Sequence, residues 1–174
     1  TQAVIKSSFK DRGIAKVDRL NQSGLQAVCS ETHNDPPKDV RARLEKAALA
    51  AVKYPTDGKW LGDFKQGERI AQTGVGMQWS DKADAPAGGD CYACHQLSKA
   101  EISFGNIGPS LHNYGKLRGN TEQTQRYTWA KIWNTHSYNA CSSMPRFGDA
   151  GILTEAQIKD LMALLLDPNS PVNQ

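Results

Sequence analysis

Apolar residues recur at helical spacing through most of this chain. Over Thr154–Asp167, Ile158, Leu161, Met162, Leu165 and Leu166 follow the i, i+3, i+4, i+7, i+8 pattern of a buried helix face. Thr154 with Gln157 three positions on provides a capping-box start for it. Glu122–Asn134 repeats the spacing with Trp129, Ile132 and Trp133 on one side. A third stripe holds Phe64, Gly67, Ile70 and Ala71; Asp63 and Gln66 suggest another capping box, and Gly67 leaves room for a second helix to approach closely. A fourth, narrow and rich in alanine, runs through Val40, Leu44, Ala47, Ala48 and Ala51. Asp35-Pro36-Pro37 reads as its N-cap and start, and Pro55 as its stop. Thr1–Ser30 has weak periodicity and predicts an irregular arm with one short helix. There is no internal repeat and no low-complexity tract. The pattern predicts an all-α protein.

Composition narrows the function classes. With 174 residues, 39% of them hydrophobic, the chain can bury one respectable core. Its net charge of +3 comes from 21 basic and 18 acidic residues that are interleaved, so nucleic-acid binding has no electrostatic footprint. The longest apolar runs, Ala47–Val52 and Leu161–Leu166, are far too short to cross a bilayer. No charged-then-apolar leader opens at Thr1, which carries the expectation that any export signal has been removed.

The cysteines change the picture. Cys91-Tyr92-Ala93-Cys94-His95 is a C-x-x-C-H motif. A dithiol redox pair expects a strand before the first cysteine and a helix starting at it, yet the preceding Asp84–Asp90 is a Pro/Gly-rich loop. A zinc site needs two more ligands at suitable spacing, and there is no second C-x-x-C and no H-x-x-x-H. The adjacent His95 favours covalent attachment of haem c, with two thioether bonds to the porphyrin and an imidazole on the iron.

A sixth ligand is then sought among three methionines. Met162 belongs to a helix face and reads as core, and Met77 lies in the Gly-rich loop Thr73–Ser80. Met144, in the Pro/Gly-bounded loop Ser142–Gly148, is the expected thioether ligand. The alternative is a loop methionine beside a His-ligated or open iron. His33 and His136 read as surface or loop histidines.

Gly108-Pro109-Ser110-Leu111-His112 resembles the GPxLH segment of small class I cytochromes c. That resemblance implies that the Pro109 carbonyl orients His95, that Leu111 presses on the haem face and that His112 packs nearby. The order of first helix, C-x-x-C-H, GPxL, third helix, methionine loop and last helix implies a class I cytochrome c fold over residues 58–174. Residues 1–57 are then an N-terminal helical extension, whose alanine-rich helix must pack on that domain or on a partner. Trp129 and Trp133 read as haem-pocket wall.

CYACHQLS, GNIGPSLHNYGKLRG, YTWAKIWN and SSMPRFG are together similar to the SoxX family, the monohaem subunits of SoxAX cytochromes. The resemblance implies a periplasmic protein paired with a SoxA-like subunit. It implies that electrons from the oxidative joining of thiosulfate to a cysteine of a SoxYZ-like carrier pass through this haem to a small acceptor cytochrome. The catalytic thiol is then expected on the partner. Here Cys29 and Cys141 remain after haem attachment, and neither neighbourhood suits a reactive thiolate. A disulfide between them is expected, the alternative being two buried free thiols. Arg146 has three readings: pairing with a haem propionate, guiding an anion, or facing solvent. A free-standing electron shuttle is the competing function, although the mixed charges of Asp81–Asp90 and Gln96–Glu101 lack the one-signed face such proteins use for docking.

Overall fold

A computed structural model describes residues 2–174 and contains seven α-helices, with no strand among the described residues. They are α1 (Gln2–Ser8), α2 (Gly24–Glu31), α3 (Lys38–Ala50), α4 (Phe64–Gln72), α5 (Tyr114–Arg118), α6 (Glu122–Trp133) and α7 (Glu155–Leu166). Single 3-10 turns cover Val17–Leu20, Cys91–Ala93, Thr135–Ser137 and Pro171–Asn173.

The last helix is the axis of the core. Thr154 and Gln157 form the expected capping box, and Ile158 together with every residue from Leu161 to Leu166 is buried. Burial on so many sides means that α7 is wrapped by neighbours and is not laid on a surface. Helix α4 crosses it at Gly67, where a Cβ would overlap the Asp160 carbonyl and crowd Leu164. The predicted capping box of α4 is only half formed. Asp63 accepts from the Lys65 amide at 2.8 Å, but its own N–H donates to Asp160 Oδ1 on α7, also at 2.8 Å. A tertiary carboxylate has taken the place expected for Gln66.

Trp129 is fully buried on α6 and donates its indole N–H to the Lys53 carbonyl at 2.8 Å. Asn173 closes the C-terminal end: its Oδ1 accepts from Gly115 and Lys116 amides, and its Nδ2 donates to the Leu165 and Asp167 carbonyls. One buried amide thus serves the start of α5 and the end of α7, where helices leave backbone groups unpaired.

The N-terminal region is more regular than its periodicity predicted. Two helices and a 3-10 turn lie within residues 2–31, and Thr1 lies outside the described residues. Helix α3 starts after Pro37, so Asp35 is not its N-cap; Asp35 instead pairs with Arg41 at 2.7 Å. Its inward stripe is Val40, Leu44, Ala48 and Leu49, continued by Val52, while Ala47 and Ala51 are exposed. Cys29 and Cys141 are joined in a disulfide that spans 112 residues.

Candidate haem site

Asp90, held in the left-handed region at φ 45°, turns the Pro/Gly-rich loop into the Cys91–Ala93 3-10 turn. Amides of Cys94 and His95 both return to the Cys91 carbonyl, at 3.1 and 2.8 Å. The turn is three residues long, without the helix a thioredoxin-type dithiol would open at its first cysteine. Both thiols are free. Desolvation first, then the Asp90 carboxylate, pushes the Cys91 thiol up to about 12. A thiol so firmly protonated is a poor nucleophile and a poor metal ligand as it stands. Among the described residues no group of three or more His, Cys, Asp or Glu is placed to hold a metal ion, so the zinc alternative has no assembled donor set.

A second loop is laced along this turn. The amides of Gly105, Gly108 and Leu111 donate to the carbonyls of Tyr92, Cys94 and Gln96, at 2.8, 2.8 and 2.7 Å. The lacing brings Pro109 O to 2.7 Å from His95 Nδ1. With Nδ1–H donating there, the Nε2 lone pair is left for a metal. Gly108 lies flat on the imidazole, where any Cβ would overlap the ring. Leu111 is half-buried against the core, as is Cys91.

Met144 lies on the loop that follows the disulfide. Its amide donates to Ser142 Oγ at 3.2 Å, and that hydroxyl also accepts from Thr135 Oγ1 at 3.2 Å. The side chain packs on the same apolar cluster as Cys91 and Leu111. It also lines a cavity of about 1440 Å³ with Arg146, His136, Ile70, Ile152 and residues of the N-terminal arm such as Arg19 and Leu25. Cys91, Cys94, His95, Pro109 and Leu111 do not line this cavity; of these, Cys91 and Leu111 share the apolar cluster with Met144. Arg146 is tied to Asp149 at 3.1 Å and is half-buried. Met77 is exposed, and Met162 is enclosed within α7 packing.

One expectation changes. His136 is buried beside Met144 in the cavity wall, not on the surface; burial, then the Arg146 guanidinium, holds its pKa below the usual 6.5. Trp129 fills the core and stacks on Trp133, whose ring carries Gly148. His112 is half-buried, and both its ring nitrogens are shielded and unpartnered. Sequence reasoning also missed Glu68, whose carboxylate accepts from the hydroxyl of Tyr92 inside the C-x-x-C-H motif at 2.9 Å. No spacing signal marks that pair.

Two free thiols on one turn, an imidazole oriented through Nδ1 and a thioether beside a cavity are a donor set that fits haem c. The fold and this arrangement define a class I cytochrome c domain. The family pattern described as cytochrome c matches residues 87–167. An uncharacterized lipoprotein of Aquifex aeolicus (strain VF5) is 38% identical over 155 residues, which cover 88% of this chain and 73% of that protein. The chain belongs to the cytochrome c family, whose members bind haem c covalently and transfer electrons.

Proposed function

We propose that this chain is the monohaem cytochrome subunit of a periplasmic SoxAX-like complex, receiving electrons from thiosulfate oxidation and passing them to a small acceptor cytochrome. The observation that carries the electron-transfer reading is the 2.7 Å contact between His95 Nδ1 and Pro109 O, which leaves Nε2 as the ligand atom. Cys91 and Cys94 would hold the group by thioether bonds, His95 and Met144 would bind its iron, and Leu111 would press on its face. Arg146, already paired with Asp149, would keep its remaining donors for a propionate. Once bound, haem c supplies one-electron chemistry between ferric and ferrous iron.

The SoxX-like part of the proposal is supported by the segment resemblance and by the cysteine inventory. Cys29 and Cys141 are consumed by the disulfide, and Cys91 and Cys94 by the proposed thioethers, so no thiolate is left to carry sulfur. The catalytic thiol therefore belongs to a partner. The test is thiosulfate conjugation to a carrier thiol by the isolated chain and by the complex purified from the native organism, with haem content and partner mass determined together. The chain alone should exchange one electron without conjugating thiosulfate, and a SoxA-like partner should restore turnover. Turnover by the isolated chain would overturn the division of labour. Purification without any partner would favour the free-standing shuttle.

A further inference from the structure

We propose that Glu68 is a redox-linked proton site: one electron arriving at a haem attached through Cys91 and Cys94 draws up to one proton from solvent onto Glu68 Oε2, and reoxidation returns both. The inference rests on that attachment. Its basis is the uneven treatment of the two carboxylate oxygens. Oε1 accepts from the Tyr92 hydroxyl at 2.9 Å and from Gln72 Nε2 at 3.2 Å. Oε2 is shielded from solvent and has no hydrogen-bond partner. An ionised carboxylate spreads its charge over both oxygens and calls for donors at each, whereas a neutral carboxyl group places no charge on the unsupplied one. Shielding the unsupplied oxygen costs far more while it shares a charge than when it carries a proton.

The pair is firmly placed. Tyr92 is buried, and its hydroxyl also accepts from the Ser98 amide at 3.2 Å, so the donor cannot swing away without breaking a second bond. It sits between the two cysteines of the motif. Burial raises the Glu68 pKa; the Tyr92 hydrogen bond opposes this, and the Glu101 carboxylate adds to it. The field of Glu68 also reaches the Cys91 sulfur. Coupling between two sites is reciprocal, so negative charge added at a group anchored on that sulfur strengthens proton binding at Glu68. Other charged neighbours are spent elsewhere or do not oppose the effect. Asp90 adds negative field at Cys91, Lys65 and Arg69 on α4 are exposed, and Asp160 on α7 holds the Asp63 amide. Lys159 pairs with Asp57 and Glu155. No ion pair among the described residues involves Glu68.

The test uses the holoprotein. Its midpoint potential, followed spectroelectrochemically with small one-electron mediators over about pH 4–9, should fall as pH rises through a single window. A tenfold difference in proton affinity between the two redox states corresponds to a total fall of about 59 mV. Reduced-minus-oxidised infrared spectra should show the carbonyl band of a newly protonated carboxyl group. Glu68→Gln should flatten the window and remove the band. Tyr92→Phe removes a donor to Oε1 and should move the window to higher pH, which keeps the proposal testable should Glu68→Gln fail to fold. A pH-independent potential without the band in the wild type, or both features intact in Glu68→Gln, overturns it. Absence of thioether-bound haem in the denatured protein would instead overturn the attachment reading, and the inference with it, before any potential is measured.

Discussion

Residues 58–174 are held by packing, whereas residues 2–57 are held by discrete fastenings. The fully buried side chains Trp129, Leu97, Ile158, Met162, Leu164 and Val172 all lie in the C-terminal region. Its helices close around α7 from several sides. The N-terminal region contributes little apolar burial: Cys29, Ala48 and Val52 are its buried hydrophobic residues. It is joined instead by a disulfide to Cys141, a bond from the Ala140 amide to Glu45 Oε1 at 3.2 Å, and the Trp129 indole on Lys53 O at 2.8 Å. Arg12 stacks on Trp79 at 3.3 Å, and Arg19 donates to Met77 O at 3.2 Å. A short helix with an alanine stripe buries too little to dock unaided. Polar and covalent fastenings therefore do the work that area does in the other region, and several of them land on the two loops that flank the cavity.

That contrast can be tested by breaking one region without the other. The largest effect is expected from replacing Cys29 and Cys141 together by serine. Closure of a loop of this separation, 112 residues, corresponds to roughly 4–5 kcal/mol in the chain-entropy model. Limited proteolysis should then cut residues 2–57 well before the remainder. Simultaneous cleavage of both regions would show that they unfold as one unit.

Trp129→Ala strikes the other side. Loss of a fully buried indole and its bond to Lys53 O should cost about 3–5 kcal/mol in denaturant unfolding, with both regions affected because the residue serves both. Glu45→Ala removes only the acceptor for the Ala140 amide. We expect about 1 kcal/mol, seen as faster hydrogen exchange in Ala140–Met144 with the α7 amides unchanged.

A pH dependence sharpens the comparison further. His136 has a folded pKa below its ordinary 6.5, so its contribution to stability is complete above that value and lost as pH falls below it. His136→Gln should flatten the stability profile on the acid side of pH 6.5 if burial in the cavity wall is the cause. Met144→Ala should alter stability least. It should nevertheless abolish the weak long-wavelength charge-transfer band expected of thioether ligation, and survival of that band would exclude Met144 as the ligand.

Legibility in the sequence followed the range of the interactions. The helix of Thr154–Asp167, the Glu122–Asn134 helix and the His95–Pro109 contact were all readable, because each depends on a local pattern or a short motif. Helix α2 was readable in principle: Ser23 and Gln26 form a capping box like that of Thr154 and Gln157, but the run behind it is short. What escaped was non-local. Asp160 displaced Gln66 at the α4 cap from 97 residues away, and His136 was buried by a 3-10 turn that has no periodic signature. Glu68 and Tyr92 lie 24 residues apart on unlike elements.

The Cys29–Cys141 bond also gives the chain a topology. It makes one covalent ring with two tails, and the C-x-x-C-H motif lies on the ring while Met144 lies on the C-terminal tail, just past the point of closure. A protease that nicks the exposed stretch of Ile102–Ile107 opens the ring into a longer strand and releases nothing. The two proposed iron ligands then stay on one covalent molecule until the disulfide is reduced, when the nicked protein separates into one piece with His95 and another with Met144. Gel mobility with and without a reductant after such a nick would read this architecture directly.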